Sequence, residues 1–319
     1  MRGLVWGLLF VCAFLWGTAN AFPTKPVRII VAFPPGGGTD IVARLIAPRL
    51  GEIWGQAVVV ENRAGASGTI GTEAAAKADP DGHTLFMATM GNMTANPHLY
   101  PRMAVDPLRA FAPVTKVVDV HFVFMANPAL QASTVKEVVA LAKKRPGELH
   151  YSSSGPGGAP HLAMELFKRR ADIDLTHVPY KGSGPGMTDL LGGRVMMTMD
   201  SLLQGYPNIK AGKLKALAVL GPKRSALLPE VPTMAQAGVA GYSLTNWFGL
   251  LAPAATPTQV IAKVHADVTG ILREAEIQKK IADMGADVVG NSPAEFGAAM
   301  RAESAQWADI IRSANIKAE

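Results

Sequence analysis

Two glycine-rich turns carry the clearest chemistry in this sequence. The first, Phe33-Pro34-Pro35-Gly36-Gly37-Gly38-Thr39-Asp40, follows the apolar run Val27 to Phe33 and opens a segment of helical period. The second, Ser153-Ser154-Gly155-Pro156-Gly157-Gly158, follows Leu149 to Ser153 and opens another, about 120 residues later. A helix start leaves backbone N–H groups unpaired and presents a partial positive charge. A carboxylate or phosphate settles there without arginine or lysine, and glycine lets it come close. Each helix end contributes roughly 0.3 to 1 kcal/mol, so the pair orients an anion while desolvation supplies much of the remaining affinity. One glycine run supports only a tight turn. The second copy turns the two into a site, because such turns lie at the carboxyl ends of strands, where both can face one cleft.

Sharper chemistries lack their patterns. The first turn does not have G-x-G-x-x-G spacing, and no G-x-x-x-x-G-K-[ST] occurs, so dinucleotide and triphosphate binding are not expected. The seven histidines show no metal-ligand spacing, with no H-E-x-x-H, and a G-x-S-x-G elbow is absent. Neither catalytic residues nor a metal site nor a cofactor is therefore nominated. His161 lies just past the second turn, where a structural role and a ligand contact both stay open. Asp40 reads as a carboxylate in the first turn of a helix more than as a general base, with pairing to a ligand amino group as the alternative. Asp200 ends an apolar strand and is a pocket candidate. Met90, Met93, Met196, Met197 and Met199 fall near strand ends, where core filling is the main expectation.

These residues need a scaffold, and the chain alternates strand-length apolar runs with helix-period segments, which is α/β grammar. One βα series runs from Val27 to Thr89. A second runs from Ser133 to Leu220, with strands at Leu149 to Ser153, Leu175 to Pro179, Arg194 to Asp200 and Leu214 to Leu220. The apolar segment Val114 to Ala126 reads as one strand passing between lobes, with the crossing near Met125, and Tyr242 to Ala252 reads as the return. The expected division is residues 22–125 with 244–319 in one lobe and 126–243 in the other. Thr256-Pro257-Thr258-Gln259 and Ser292-Pro293-Ala294-Glu295 both match the capping-box pattern with proline at the first helical position.

Residues 1–21 read as a secretory signal peptide: Arg2, an apolar run from Leu4 to Trp16, then Ala19-Asn20-Ala21, with cleavage near Ala21. Its removal takes away Cys12, the only cysteine, and with it disulfide and thiolate chemistry. The remaining chain, roughly 300 residues, is long enough for two domains with cores of their own. The formal charge of +6 comes from scattered basic residues, which is a solvated surface and not a nucleic-acid face. A monomer is expected.

Beyond these readings, the chain resembles the Bug-type, TctC-like solute receptors of tripartite tricarboxylate transporters. The resemblance is carried by PVRIIVAFPPGGGTDIVAR, VVVENRAGASGTIG, YSSSGPGGAPHLA, VPYKGSGPGMTDLLGGRV, LPEVPTMAQAG and NWFGLLAP, and it spans nearly all of the chain after the leader. It implies a two-lobed type II periplasmic-binding-protein fold that closes on a small organic carboxylate, held by backbone N–H groups and bridging waters. It also implies a periplasmic location and a membrane permease, or a sensor, as partner. The family's binding elements fall on Phe33, Pro35, Gly36, Gly37, Gly38, Thr39, Asp40, Ser67, Gly68, Thr69, Ser153, Ser154, Gly155, Gly157, Gly158, Tyr180 and Asp200. Met90 and Asn92 stand in a loop richer in methionine than the family pattern, Pro160 replaces a usual donor, and Met199 stands where an aromatic is common. Those departures point to a less polar ligand tail, such as an aromatic acid, over citrate. The alternative is a secreted enzyme on the same scaffold, with Asp40 or Asp200 as base.

Overall fold

The computed structural model describes residues 22–100, 103–314 and 316. The leader expected over residues 1–21, with its cleavage point, lies outside the described residues. Two mixed sheets form the frame. The six-stranded sheet contains β1 (Val27–Val31), β2 (Val58–Asn62), β3 (Thr84–Thr89), β4 (Phe111–Val120), β10 (Asn246–Pro253) and β11 (Ala286–Val288), in the order β11-β4-β10-β3-β1-β2. The five-stranded sheet contains β5 (Phe122–Ala126), β6 (His150–Ser153), β7 (Thr176–Pro179), β8 (Met197–Ser201) and β9 (Lys215–Val219), in the order β7-β6-β8-β5-β9.

β1 is parallel to both β2 and β3 in the interior of the sheet and is buried at every residue but Arg28, which accounts for its nearly unbroken apolar run Val-Arg-Ile-Ile-Val. The helix that follows, Gly38–Trp54, buries Val42, Ala43, Ile46, Ala47 and Leu50, a stripe of helical spacing, and stops at Gly55 in the left-handed conformation (φ 62°). The start of this helix is thereby fixed at the carboxyl end of a rigid central strand.

The chain crosses between sheets twice, and the crossings differ from expectation. Val114 to Ala126 is not one strand: β4 ends at Val120, and β5 already pairs with β8 and β9 in the other sheet. The first crossing is thus at His121 and not near Met125. Residues on both sides are buried, so the apolar run gives no local mark of the boundary. On the return, Leu244 N–H still donates to Leu220 C=O in the second lobe, whereas Asn246 opens β10, which places that crossing at Thr245.

Several further elements were not anticipated, helix Ala275–Asp283 among them. Helix Leu202–Lys210 follows β8 directly despite Gly205 and Pro207 within it, because Gly205 is required there: a Cβ at that position would stand 2.4 Å from Met125 Sδ. β11 has three residues, too few for a period. One of the two C-terminal capping boxes also fails to form. Ser292 and Glu295 make theirs, with Glu295 N–H donating to Ser292 Oγ (3.3 Å) and Ser292 N–H to the Glu295 carboxylate (2.9 Å). Thr256 instead turns its N–H to Pro253 C=O and buries its hydroxyl, and the helix begins at Thr258 without a side-chain cap.

Candidate functional site

Gly37 precedes the Gly38–Trp54 helix in an extended conformation (φ −78°, ψ 164°) and supplies no side-chain cap. The first-turn N–H groups at Gly38 and Thr39 therefore open onto a small, partly open cavity between the lobes, about 40 Å³, which has room for a few water-sized groups. Asp40 does not face that cavity. Its carboxylate accepts from Gly36 N–H (3.0 Å), from Arg44 Nε (2.9 and 3.0 Å) and from Asn62 Nδ2 (2.9 Å), while the same amide nitrogen donates to Phe33 C=O (3.0 Å). Burial by itself would raise its pKa, but the bonds from Arg44, Gly36 and Asn62 outweigh it and hold the carboxyl below its ordinary value. Asp40 is the brace of the first turn.

The opposite wall comes from the end of β8. Asp200 is buried, accepts from Ser201 N–H (2.7 Å), and has its pKa pushed up to about 6 by burial, against the opposing hydrogen bonds of Ser183 and Ser201. Ser201 Oγ is buried without a hydrogen-bond partner among the described residues, as is Asn246 Oδ1 at the start of β10; each residue is only 2% exposed. Gly38 stands close to both lobes here, since a Cβ on it would lie 2.9 Å from the Phe248 ring and 3.1 Å from Ser201 Oγ. Phe33, Phe122 and Phe248 supply the apolar part of the lining.

The second glycine turn departs from the expected symmetry. Gly155 N–H donates to Ser153 Oγ (3.0 Å), Gly157 N–H to His161 Nδ1 (3.1 Å) and Gly158 N–H to Gly155 C=O (3.1 Å). The glycine donors expected to grip a ligand are thus spent inside the turn. From this segment only Ser154, Ala159 and Pro160 reach the cavity, and Pro160 has no N–H to offer. Behind the turn, His161 stacks on His177 (centroids 4.4 Å apart), whose Nε2 meets Ser153 Oγ at 2.6 Å.

Of the residues nominated from sequence, Phe33, Gly37, Gly38, Thr39, Ser154 and Asp200 line the cavity. The others stand behind it. Pro35 abuts the second lobe, where a Cβ at Gly184 would lie 3.2 Å from Pro35 C=O, and Gly36 is held by Asp40. Ser67 meets the second turn: a Cβ at Gly155 would be 2.6 Å from Ser67 Oγ, and the Tyr100 hydroxyl, 3.2 Å from that same oxygen, donates across the lobes to Pro156 C=O (2.6 Å). Gly68 packs against Asn92, which accepts from Thr89 N–H and hydroxyl, and the Thr69 hydroxyl donates to Ala66 C=O. Met90 is core. Tyr180 donates its hydroxyl to Asp189 (2.7 Å); burial and that carboxylate raise its pKa to about 12. Thr89, Phe122, Ser183, Ser201, Asn246 and Phe248 were not nominated and do line the cavity.

A larger cleft, about 700 Å³, runs along the crossing segments, but its acids already have partners: Lys116 with Asp119 (2.8 Å), His121 with Asp287 (2.7 Å), and Glu303, which accepts from Trp247 Nε1 (2.8 Å). Among the described residues, the small cavity combines an open helix start with unpartnered polar atoms from both lobes.

The role of His161 is open to a stability measurement. Burial, reinforced by His177, lowers its pKa from 6.5 to about 4. Between those values the unfolded chain takes up a proton that the folded chain refuses, so stability falls as pH drops through this window and levels off below it, by about 3 kcal/mol in all. His161→Gln keeps an acceptor for Gly157 N–H and removes the titration. Urea unfolding of the wild type should therefore lose stability relative to the variant from about pH 6.5 to about pH 4; parallel curves would place the titration elsewhere.

Two lobes joined by two crossings, with a small cavity between them at a helix start, define a solute-binding receptor. Comparison with known proteins gives the family. Residues 42–316 match the model of the tripartite tricarboxylate transporter family receptor, and the chain belongs to that family. It is 36% identical over 301 residues to Protein BugT of Bordetella pertussis, covering 94% of this chain and 92% of that one. Among solved structures it resembles R. palustris Rpa4515 with adipate (38% identity, TM-score 0.90, 93% of this chain and 99% of that one). It also resembles MatC (Rpa3494) from Rhodopseudomonas palustris with bound malate (31% identity, TM-score 0.88, 91% and 100%).

Proposed function

We propose that this protein captures a small organic carboxylate between its lobes and presents it to the membrane permease of a tripartite tricarboxylate transporter, or to a sensor. The observation that carries this reading is the uncapped helix start at Gly38 and Thr39, opening on a cavity shared with Ser201 and Asn246. The carboxylate lies against the N–H groups of that first turn, with Ser201 Oγ as a donor from the other lobe. The adipate and malate held by relatives support the ligand class. A cavity of about 40 Å³ admits neither without the lobes parting, and their closure then removes water and strengthens each polar contact. The lobes divide at the crossings, His121 and Thr245. Export to the periplasm with removal of a leader near Ala21, a monomeric state and release of the ligand unchanged complete the proposal.

Titration calorimetry of the purified protein with adipate, malate, citrate and benzoate tests it. At least one acid should bind and be recovered unaltered by mass spectrometry. A folded protein that binds none of them, or that converts the acid it binds, would overturn the receptor reading.

A further inference from the structure

The cavity's charge inventory says more about the ligand than the helix start does. Among the described residues its lining contains one ionisable side chain, Asp200, and no lysine, arginine or histidine. His161 is near in sequence to the lining residue Pro160, but its ring is turned to Gly157 and His177. The groups that bear on Asp200 are the Ser183 hydroxyl, Ser201 N–H and Gln204, none of them charged. Asn246 Oδ1, a second acceptor, is buried without a partner. Once the lobes close, a carboxylate seated at Gly38 shares the cavity with another carboxylate and an unpaired carbonyl oxygen. Two such anions enclosed without a cation are strongly unfavourable unless one is protonated or a donor stands between them.

Resting on the carboxylate reading above, we infer that Asp200 and Asn246 select acids bearing an O–H or N–H donor, and that an acid without one is bound only together with a proton. A hydroxyl or ammonium on the ligand satisfies both acceptors while its carboxylate keeps the helix start. A donor-free acid such as adipate or succinate leaves Asp200 to take up the proton, which then serves as the donor. Burial already brings Asp200 near half-protonation at about pH 6, so the proton is available close to neutrality.

Calorimetry with succinate, malate and aspartate, which differ by hydrogen, hydroxyl or ammonium at one carbon, together with adipate and benzoate, decides the matter. Donor-free acids that bind should weaken about tenfold per pH unit from about pH 6 to about pH 8, with proton uptake visible as a buffer-dependent heat; malate and aspartate should hold their affinity. Asp200→Asn should flatten the slope for donor-free acids, and the wild-type slope stands as a test even where that variant fails to fold. Succinate, adipate or benzoate binding equally at both ends of the range without proton uptake would overturn this inference and leave the receptor reading standing. Failure of every acid at every pH would overturn both.

Discussion

Replacing Gly38 with valine should abolish carboxylate binding while leaving the protein folded. Gly38 is the first residue of its helix and does not have a positive φ, so its backbone conformation accepts any side chain. The obstacle is space. A Cβ at this position would already stand 2.9 Å from the Phe248 ring and 3.1 Å from Ser201 Oγ, and valine adds two further carbons directed at a cavity of about 40 Å³. Either the Phe248 ring moves into the ligand's place or the lobes stay apart. In both cases the N–H groups of the first turn lose their enclosed anion site. We expect affinity to fall at least about 100-fold, equivalent to about 3 kcal/mol, while the ligand-free protein stays folded at an overpacking cost of about 1–3 kcal/mol. Calorimetry and circular dichroism on the same preparation separate the two effects. Undiminished binding by Gly38→Val would move the ligand away from this helix start.

The first turn was legible from sequence because everything that makes it a site is local: a buried strand, a glycine run and a helix start without a cap. The second turn has the same local pattern and a different outcome. The N–H groups of its glycines are taken by Ser153, by Gly155 and by His161, which stands one helical turn beyond Gly157, and only Ser154 and the uncapped helix start at Ala159 are left to the cavity. That four-residue spacing was visible, but which nitrogen His161 would turn toward the glycine depends on the stack with His177, supplied by β7. Two glycine runs therefore predict two turns, and only the fate of each N–H separates a ligand site from a self-satisfied loop.

The unforeseen half of the site has a single physical origin. Phe122 and Ser201 come from β5 and β8, which pair in one sheet, and Asn246 and Phe248 from β10, which pairs with β3 and β4 in the other, so the four are brought together by contacts between segments distant in sequence. No local period marks them. A usable signal lay in the topology itself, since Phe122 and Asn246 each directly follow a crossing, at His121 and Thr245, and residues beside a crossing lie at the floor of the cleft between the lobes. Misplacing the first crossing near Met125 hid Phe122. Met197 and Met199 are fully buried core, as expected for most of the methionines, and Met90, nominated for the site, is core too, because its place just beyond β3 did not reveal the side chain's direction.

Asp40→Ala should cost the ligand-free protein about 2–4 kcal/mol, because the carboxylate is the common acceptor for Gly36 N–H, Arg44 and Asn62 and its side chain is only 4% exposed. Arg44 is half exposed and recovers water, so the larger share of the loss falls on the turn, where Gly36 N–H is released and Asn62 keeps only its other contacts. The pH dependence has a definite sign. The folded pKa lies below the ordinary 3.8, so the carboxylate's contribution is complete above that value and is lost as pH falls through the folded one. Denaturant unfolding of wild type and variant should therefore differ most near neutrality and converge in acid. Asp40→Asn keeps one acceptor oxygen and should recover part of both stability and binding. That recovery separates a brace from a ligand contact. If Asp40 instead paired with an amino group on the ligand, Asp40→Asn would lose binding while its unfolding curve stayed close to wild type.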